Sequence, residues 1–321
     1  MSDLKNILIV GAGPMAAAYY QVLKAQGYYP YVICRSQRSV DNFFHLTGCK
    51  PQIIAIPDIC SQVTDLKHAI VCVDIPGLSP VAEELLKAGI KNVLVEKPLA
   101  LSLRQIDHLA NLKIKYNSNV YVAFNRRFYS SIIQLEKNIK DDGGITSLRF
   151  DFTEWSHRIL SANLDKQVLQ RLIIANSSHV IDLAFYMIGL PELSQFQAMS
   201  VRSLPWHTSG SIFNGFGLTC KNIPFSYSSD WNSASRWSLE IFTPKSSYLL
   251  KPLETLSQVK KGSTQTTNIP STSTLDSDFK PGLFLQCDAF LNHSLQERLS
   301  TIEQYRDLFL VLCKIGNYDH D

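Results

Sequence analysis

Asn6-Ile7-Leu8-Ile9-Val10-Gly11-Ala12-Gly13-Pro14-Met15-Ala16 is the stretch whose chemistry decides the fold of this chain. Ile7 to Val10 are apolar without alternation, the pattern of a parallel strand buried on both faces. Gly11, Gly13 and Ala16 follow at once as G-x-G-x-x-A, and the Ala-rich run after them reads as a helix ending near Gly27. The first glycine of such a pattern permits a tight turn, and the second lets the backbone approach a pyrophosphate on the helix N-terminus. The third small residue lets helix and strand pack closely. A bare strand–helix turn is the alternative, but a strand before and a helix after favour a dinucleotide. Gly11, Gly13, Pro14 and Met15 are the expected contacts.

Working outward, further apolar runs lie at 30–34, 52–55, 69–73, 92–96 and 119–124. Helix signals fall between them. Ser79-Pro80 reads as an N-cap and first helical residue with Gly89 as the stop, and Ser102 with Gln105 makes a capping box. Strand–helix repetition predicts a doubly wound α/β sheet. After residue 124 the style changes. Leu148, Phe150 and Phe152 alternate with Arg149 and Asp151, and Ile223, Phe225, Tyr227 and Trp231 share a second face, which indicates antiparallel strands with one polar side. More strands are expected near 193–202, 211–218, 237–243 and 246–250, a long polar loop over 254–280, and closing helices near 282–294 and 301–315. The predicted architecture is α/β: an N-terminal Rossmann dinucleotide-binding domain over 1–124, then a C-terminal α+β domain over 125–321 with a large, mostly antiparallel open sheet.

The end of the second strand selects the cofactor. An NAD site usually places a carboxylate there for the ribose hydroxyls. Residues 33–38 read Ile-Cys-Arg-Ser-Gln-Arg, with no acid before Asp41. Arg35 can pair with a 2′-phosphate, Ser36 can donate to it and Arg38 adds charge, so NADP(H) is favoured with NAD(H) possible.

Composition excludes several other roles. The 321 residues are 45% hydrophobic and 18% charged, ordinary for a globular protein of about two domains. Net charge is +3 from 31 basic and 28 acidic residues, with no footprint for nucleic acid or an anionic membrane. The seven cysteines are scattered and never form C-x-x-C, so neither a metal site nor a disulfide framework is expected. No apolar stretch reaches the roughly 18 residues of a membrane span, and a cytoplasmic location is expected.

Val93 to Ala100 read Val-Leu-Val-Glu-Lys-Pro-Leu-Ala, which brings Lys97 to the carboxyl edge of a parallel strand, where ligands bind. Phe152-Thr153-Glu154-Trp155-Ser156-His157-Arg158 mixes an aromatic platform, a carboxylate and cations, and Glu154 and Trp155 are candidates to read a sugar. A polar loop with one anchoring Trp is the equal alternative.

Gly11–Ala16, Glu96-Lys97-Pro98-Leu99-Ala100, Phe124-Asn125-Arg126-Arg127-Phe128 and Ser178-His179-Val180-Ile181-Asp182 together resemble the Gfo/Idh/MocA oxidoreductases, over essentially the whole chain. The resemblance implies that Lys97 hydrogen-bonds the reacting oxygen beside the nicotinamide and that His179 is the general acid/base. Asp182 would orient the substrate or the imidazole, with Asn125, Arg126 and Asn176 also at the substrate. Asp74, Pro76, Glu96 and Lys97 would lie along the cofactor. His has an intrinsic pKa suited to moving the alcohol proton, and a cationic Lys can stabilise a developing alkoxide. His179, Asp182 and Tyr186 share one face of an otherwise apolar helix, a stripe that needs partners. Two departures stand out. Ala175 occupies the position where many relatives carry an Asp, four residues before the His, and Pro76-Gly77-Leu78 stands where a His is common.

The expected function is hydride transfer to or from a carbon of a sugar, cyclitol or sugar nucleotide. The alternatives are a cofactor-binding regulator or partner protein without turnover, and an NAD-assisted glycoside hydrolase. The resemblance also implies a homodimer or homotetramer joined through the C-terminal sheet.

Overall fold

A computed structural model describes residues 6–63, 65–271 and 273–320. The chain divides into two units. One holds the residues up to Asn125 together with Leu275–Arg306, and the other holds Arg126–Thr274 with Asp307–His320.

In the first unit β1 (Asn6–Val10), α1 (Pro14–Ala25), β2 (Tyr29–Cys34), α2 (Gln37–Thr47), β3 (Gln52–Ile53), α3 (Ile56–Gln62), β4 (His68–Val71), α4 (Ile75–Lys87), β5 (Asn92–Glu96), α5 (Leu103–Lys115) and β6 (Asn119–Ala123) alternate. The strands lie in the order β3-β2-β1-β4-β5-β6, all parallel. This is the doubly wound order, and its direction reverses between β1 and β4. Ile7, Leu8, Ile9, Ile70, Val71, Val93 and Leu94 are fully buried, as unalternated apolar strands between helix layers must be. Ser102 caps α5, its Oγ accepting from the Gln105 amide at 3.3 Å. The helix expected to begin at Ser79-Pro80 begins instead at Ile75, after Asp74, with Pro76 in its first turn and Pro80 inside. Pro80 has no N–H for the carbonyl of Pro76, but both residues are exposed, so water can take up that bond.

The second unit contains α6 (Ser130–Asp142), β7 (Ser147–Asp151), α7 (Ser156–Ser161), α8 (Lys166–Gln170), α9 (Ser178–Ile188), β8 (Gln197–Val201), β9 (Ile212–Leu218), β10 (Pro224–Asp230), β11 (Ser238–Phe242), β12 (Ser246–Leu250), β13 (Leu256–Lys260) and β14 (Thr267–Ile269). They form a sheet ordered β14-β13-β12-β11-β7-β10-β9-β8, in which only the β7–β10 pairing is parallel. Leu148, Phe150, Phe152, Phe225 and Tyr227 fill one face, where Phe185 of α9 meets Phe150 and Phe225 edge-on at 5.8 and 5.1 Å. The Phe225–Tyr227–Trp231 stripe therefore belongs to the core.

The long loop expected over 254–280 is instead β13, β14 and a short α10 (Leu275–Asp278). The end of the sheet needs little apolar surface: Leu256 alone is buried in β13 and no residue is buried in the edge strand β14, so a Ser/Thr-rich composition concealed both. The chain closes with α11 (Leu283–Asn292), the short β15 (Ser300–Thr301), which adds an antiparallel edge to β6, and α12 (Ile302–Gly316). Among the described residues no helix is long and apolar enough to cross a membrane.

Candidate functional site

In the first unit a cavity of about 590 Å³ opens where the strand order reverses, between the ends of β1 and β4. Of the cofactor contacts expected from sequence, Gly11, Gly13, Arg35, Ser36 and Asp74 line it; Pro14, Met15, Arg38, Pro76, Glu96 and Lys97 do not. Ser39, Ile54, Val73 and Glu84 line it as well and were not anticipated. Gly11 is obligatory: its φ is +114°, and a Cβ there would lie 2.3 Å from the carbonyl oxygen of Cys72. A Cβ on Gly13 would meet nothing within 4 Å. That open space lies at the start of α1, whose first turn has no acidic residue and no side-chain cap. Exposed N–H groups and the helix dipole suit an anion there, so the residues present fit a dinucleotide pyrophosphate.

At the cavity rim Arg35 Nη2 lies 3.2 Å from Asp74 Oδ1, with both side chains largely exposed. Such a pair is worth at most about 1 kcal/mol and yields readily to a better anion. Ser36 caps α2 by accepting from the Ser39 amide at 3.3 Å, and the two hydroxyls stand 2.9 Å apart. No acidic residue occupies the first turn of α2.

Beyond β5, the hydroxyl of the fully buried Tyr19 bridges Glu96 and Gln286, 2.9 Å from each. Burial first, then Glu96, holds its pKa well above the usual tyrosine value. Lys97 follows, partly buried, and Leu99 turns the chain with a left-handed φ of +67°. Asn125 Nδ2 donates to the carbonyl of Pro281 at 2.9 Å.

The second unit gathers the other expected residues around two carboxylates. A turn of π-helix over Ile173–Ser177 leads into α9; such turns recur at functional sites. It presents Asn176 and Ser177 to the buried Glu154, whose Oε1 accepts from Asn176 Nδ2 at 3.0 Å and Ser177 Oγ at 2.8 Å. Arg236 Nη1 donates to Glu154 Oε2 at 2.9 Å. Burial pushes the Glu154 carboxyl above its ordinary pKa, while Arg236 and these donors pull it back. Ala175 is buried in the same turn. One turn into α9, Asp182 receives two hydrogen bonds from Arg127, and Tyr186 carries the same guanidinium 4.9 Å from its ring. Two members of the polar stripe of α9, Asp182 and Tyr186, are thus partnered by Arg127.

His179 is buried, its ring centroid 6.1 Å from that of Trp237. Arg126 and Arg236 lie over the same indole at 4.9 and 4.5 Å. Trp155 carries Arg158 and Arg236 at 4.8 and 5.1 Å, and its Nε1 donates to the carbonyl of Ser235. Arg236 escaped the sequence reading, which takes Trp237 only as a sheet or interface residue: they precede β11, far along the chain from Glu154, and no motif marks them.

A second network steadies the π-turn. Tyr318 receives the Ile173 amide at 3.3 Å and donates to His207 Nε2 at 2.6 Å, and His207 Nδ1 donates to the carbonyl of Gly210 at 2.6 Å. Among the described residues no cluster of His, Cys, Asp and Glu could hold a metal ion.

Residues 5–124 match the model of an oxidoreductase family with an NAD-binding Rossmann fold, GFO_IDH_MocA. Over 109 residues the chain is 33% identical to a Salmonella typhimurium protein named as the oxidoreductase YceM, a match spanning 34% of this chain and 32% of that protein. The chain thus matches about a third of the length of this curated relative. Solved structures extend the likeness to the whole chain. UDP-N-acetylglucosamine 3-dehydrogenase GnnA from Acidithiobacillus ferrooxidans is similar with a TM-score of 0.74 and 14% identity, over 98% of this chain and 97% of its own. Levoglucosan dehydrogenase in complex with NADH gives 0.76 and 16%, over 97% and 96%. A protein described as an NADPH-dependent oxidoreductase from Desulfitobacterium hafniense gives 0.75 and 13%, over 99% and 96%. At these identities the likeness establishes the fold.

Proposed function

We propose that this chain, whose residues 5–124 match the GFO_IDH_MocA oxidoreductase family, transfers a hydride between a nicotinamide dinucleotide, NADP(H) by preference, and a carbon of a sugar, cyclitol or sugar nucleotide. The observation that carries this reading is the Gly11–Gly13 turn at the switch-point cavity, with Arg35 and Ser36 where an NAD site usually carries an acid. Relatives of the same fold bear the names of dehydrogenases of UDP-N-acetylglucosamine and levoglucosan, which supports a sugar-like substrate.

Gly13 and the start of α1 would hold the pyrophosphate, and Arg35, Ser36 and Ser39 the 2′-phosphate. The nicotinamide, when bound, gives or takes the hydride. Lys97 stabilises negative charge developing on the substrate oxygen, and His179 moves the proton that accompanies the hydride. Asn125, Arg126, Asn176 and Trp155 are proposed on the substrate side. Glu154 holds Asn176 with its amide NH₂ turned inward, which leaves Oδ1 to accept from a hydroxyl. Asp182, committed to Arg127, would act by holding α9 and the His179 it carries. On the outer face of the second sheet Phe216 is 62% exposed, with Met199 and Val201 also in solvent. We place the contact of a homodimer or homotetramer there; a monomeric mass by light scattering would contradict it.

The test is turnover. The purified protein is offered NADPH with keto-sugars, and NADP⁺ with sugars and sugar nucleotides, while nicotinamide absorbance is followed. Turnover that disappears in Lys97→Met while nucleotide affinity is kept supports the proposal. Nucleotide binding with no turnover on any of them would point instead to a partner protein of the same fold.

A further inference from the structure

Arg236 is half-buried against aromatic rings. Its guanidinium lies between two indoles, 5.1 Å from the Trp155 ring and 4.5 Å from that of Trp237. Its Nη1 is spent on Glu154 Oε2 at 2.9 Å and on the carbonyl of Thr153 at 3.3 Å. Its Nε and Nη2 make no hydrogen bond among the described residues, and the side chain is 37% exposed. The loop carrying it is pinned on both sides. Trp155 Nε1 donates to the Ser235 carbonyl at 3.0 Å, Ser235 Oγ donates to Asp151 at 2.6 Å, and Ser156 Oγ donates to the Trp231 carbonyl at 2.9 Å.

Neutralising a buried carboxylate needs one donor edge of one cation, which a lysine could supply. A planar fork with one edge fixed inward, and its face clamped by aromatic rings, presents the other edge ready-made for a planar or tetrahedral oxyanion. Little rotamer entropy remains to be lost when a ligand arrives. The charge around it agrees. Arg158 shares the Trp155 ring and Arg126 the Trp237 ring, so three guanidiniums line two indoles. Of the carboxylates near them, Glu154 is bound inward to Arg236, and Glu254 and Asp182 act on Arg126. Asp182 is taken by Arg127. His179 lies against Trp237, on the same indole as Arg236.

We infer that the outward edge of Arg236, held by Glu154 between Trp155 and Trp237, docks a carboxylate or phosphate carried by the substrate, so that the substrate is an acidic sugar and not a neutral one. This rests on the reading of the second unit as the substrate domain of an oxidoreductase. Arg236 is then a specificity-determining residue, and Glu154 the residue that positions it.

The test is calorimetric titration of the full chain with glucuronate, glucose 6-phosphate and glucose, repeated on Arg236→Gln and Arg236→Lys. A fork-to-oxyanion contact predicts that at least one acidic sugar binds about tenfold or more tighter than glucose, and that Arg236→Gln removes the difference. Arg236→Lys keeps a cation beside Glu154, guards against loss of the fold, and should retain only part of the preference. The tighter of the two acidic probes assigns the carboxylate or the phosphate. No preference for either acid over glucose, or a preference that survives both substitutions, overturns the inference. NADPH and NADH are titrated on the same samples. Nucleotide binding without an anion preference sinks this inference and leaves the hydride-transfer reading in place. An anion preference without nucleotide binding does the reverse.

Discussion

Arg127 and Asp182 meet through two hydrogen bonds, Nε to Oδ2 at 2.9 Å and Nη2 to Oδ1 at 2.5 Å, with both side chains buried. Arg127 follows directly on the Asn125-Arg126 segment, while Asp182 lies one turn beyond His179 on α9. The pair therefore ties the helix of the proposed acid/base to a residue distant in sequence. Breaking a buried pair by removing one partner typically costs about 3–5 kcal/mol, because the other charge is stranded.

Asp182→Ala is accordingly expected to lower the unfolding free energy by about 3 kcal/mol or more. Asp182→Asn, which keeps the shape and an acceptor, should lose less. Urea denaturation midpoints check both; an unchanged midpoint for Asp182→Ala would show that the pair does not hold α9.

Gly11 and Gly13 should separate stability from ligand binding. Gly11→Ala must place a Cβ against the Cys72 carbonyl at a left-handed φ, and a loss of about 1–3 kcal/mol is expected. Gly13→Ala meets no protein atom, so its melting temperature should stay near wild type while nucleotide affinity falls. Thermal melts and a nucleotide titration read the two effects; equal loss of stability in both variants would contradict the assignment.

His207 should make the second unit sensitive to acid. Burial lowers its pKa, opposed by its bond to the Gly210 carbonyl, and as the neutral ring it accepts from Tyr318. An unfolded His titrates near about pH 6.5. Below that pH the unfolded chain takes up a proton that the folded site resists, so stability falls until the pH passes the lower folded value. Each unit of depression is worth about 1.4 kcal/mol. His207→Gln removes this dependence. The stability margin of wild type over His207→Gln should therefore shrink between about pH 8 and about pH 5.5. Burial acts oppositely on Glu154 and Asp182, but both groups remain in both proteins and cancel in the comparison. A margin that stays constant or widens would contradict the account.

What the sequence made legible was what a local pattern can encode. The Gly11–Ala16 turn, the strands around it and the Ser102 cap each arise from neighbouring residues, and the structure places them as read. The start of α4 was misread because Ser79-Pro80 makes a sound local cap, whereas Asp74 and Pro76 provide an earlier one. The strands of 254–280 were hidden because β13, with one buried Leu, and the edge strand β14, with none, look like a polar loop. Around His179 the limits are those of distance along the chain. Glu154 and Asn176 stood out as polar residues in suggestive places, yet nothing local says that Glu154 joins Asn176 to Arg236, or that Arg127 takes Asp182. Such pairings exist only once the sheet has brought its strands together.

The central claim, a dinucleotide site tuned to the 2′-phosphate, is tested most directly by fluorescence titration with NADPH and NADH, repeated on Arg35→Asp. The account predicts that NADPH binds more tightly than NADH and that Arg35→Asp weakens NADPH by about tenfold or more while leaving NADH little changed. NADH bound as tightly as NADPH, with Arg35→Asp without effect, would contradict the NADP(H) assignment, and binding of neither nucleotide would contradict the oxidoreductase itself.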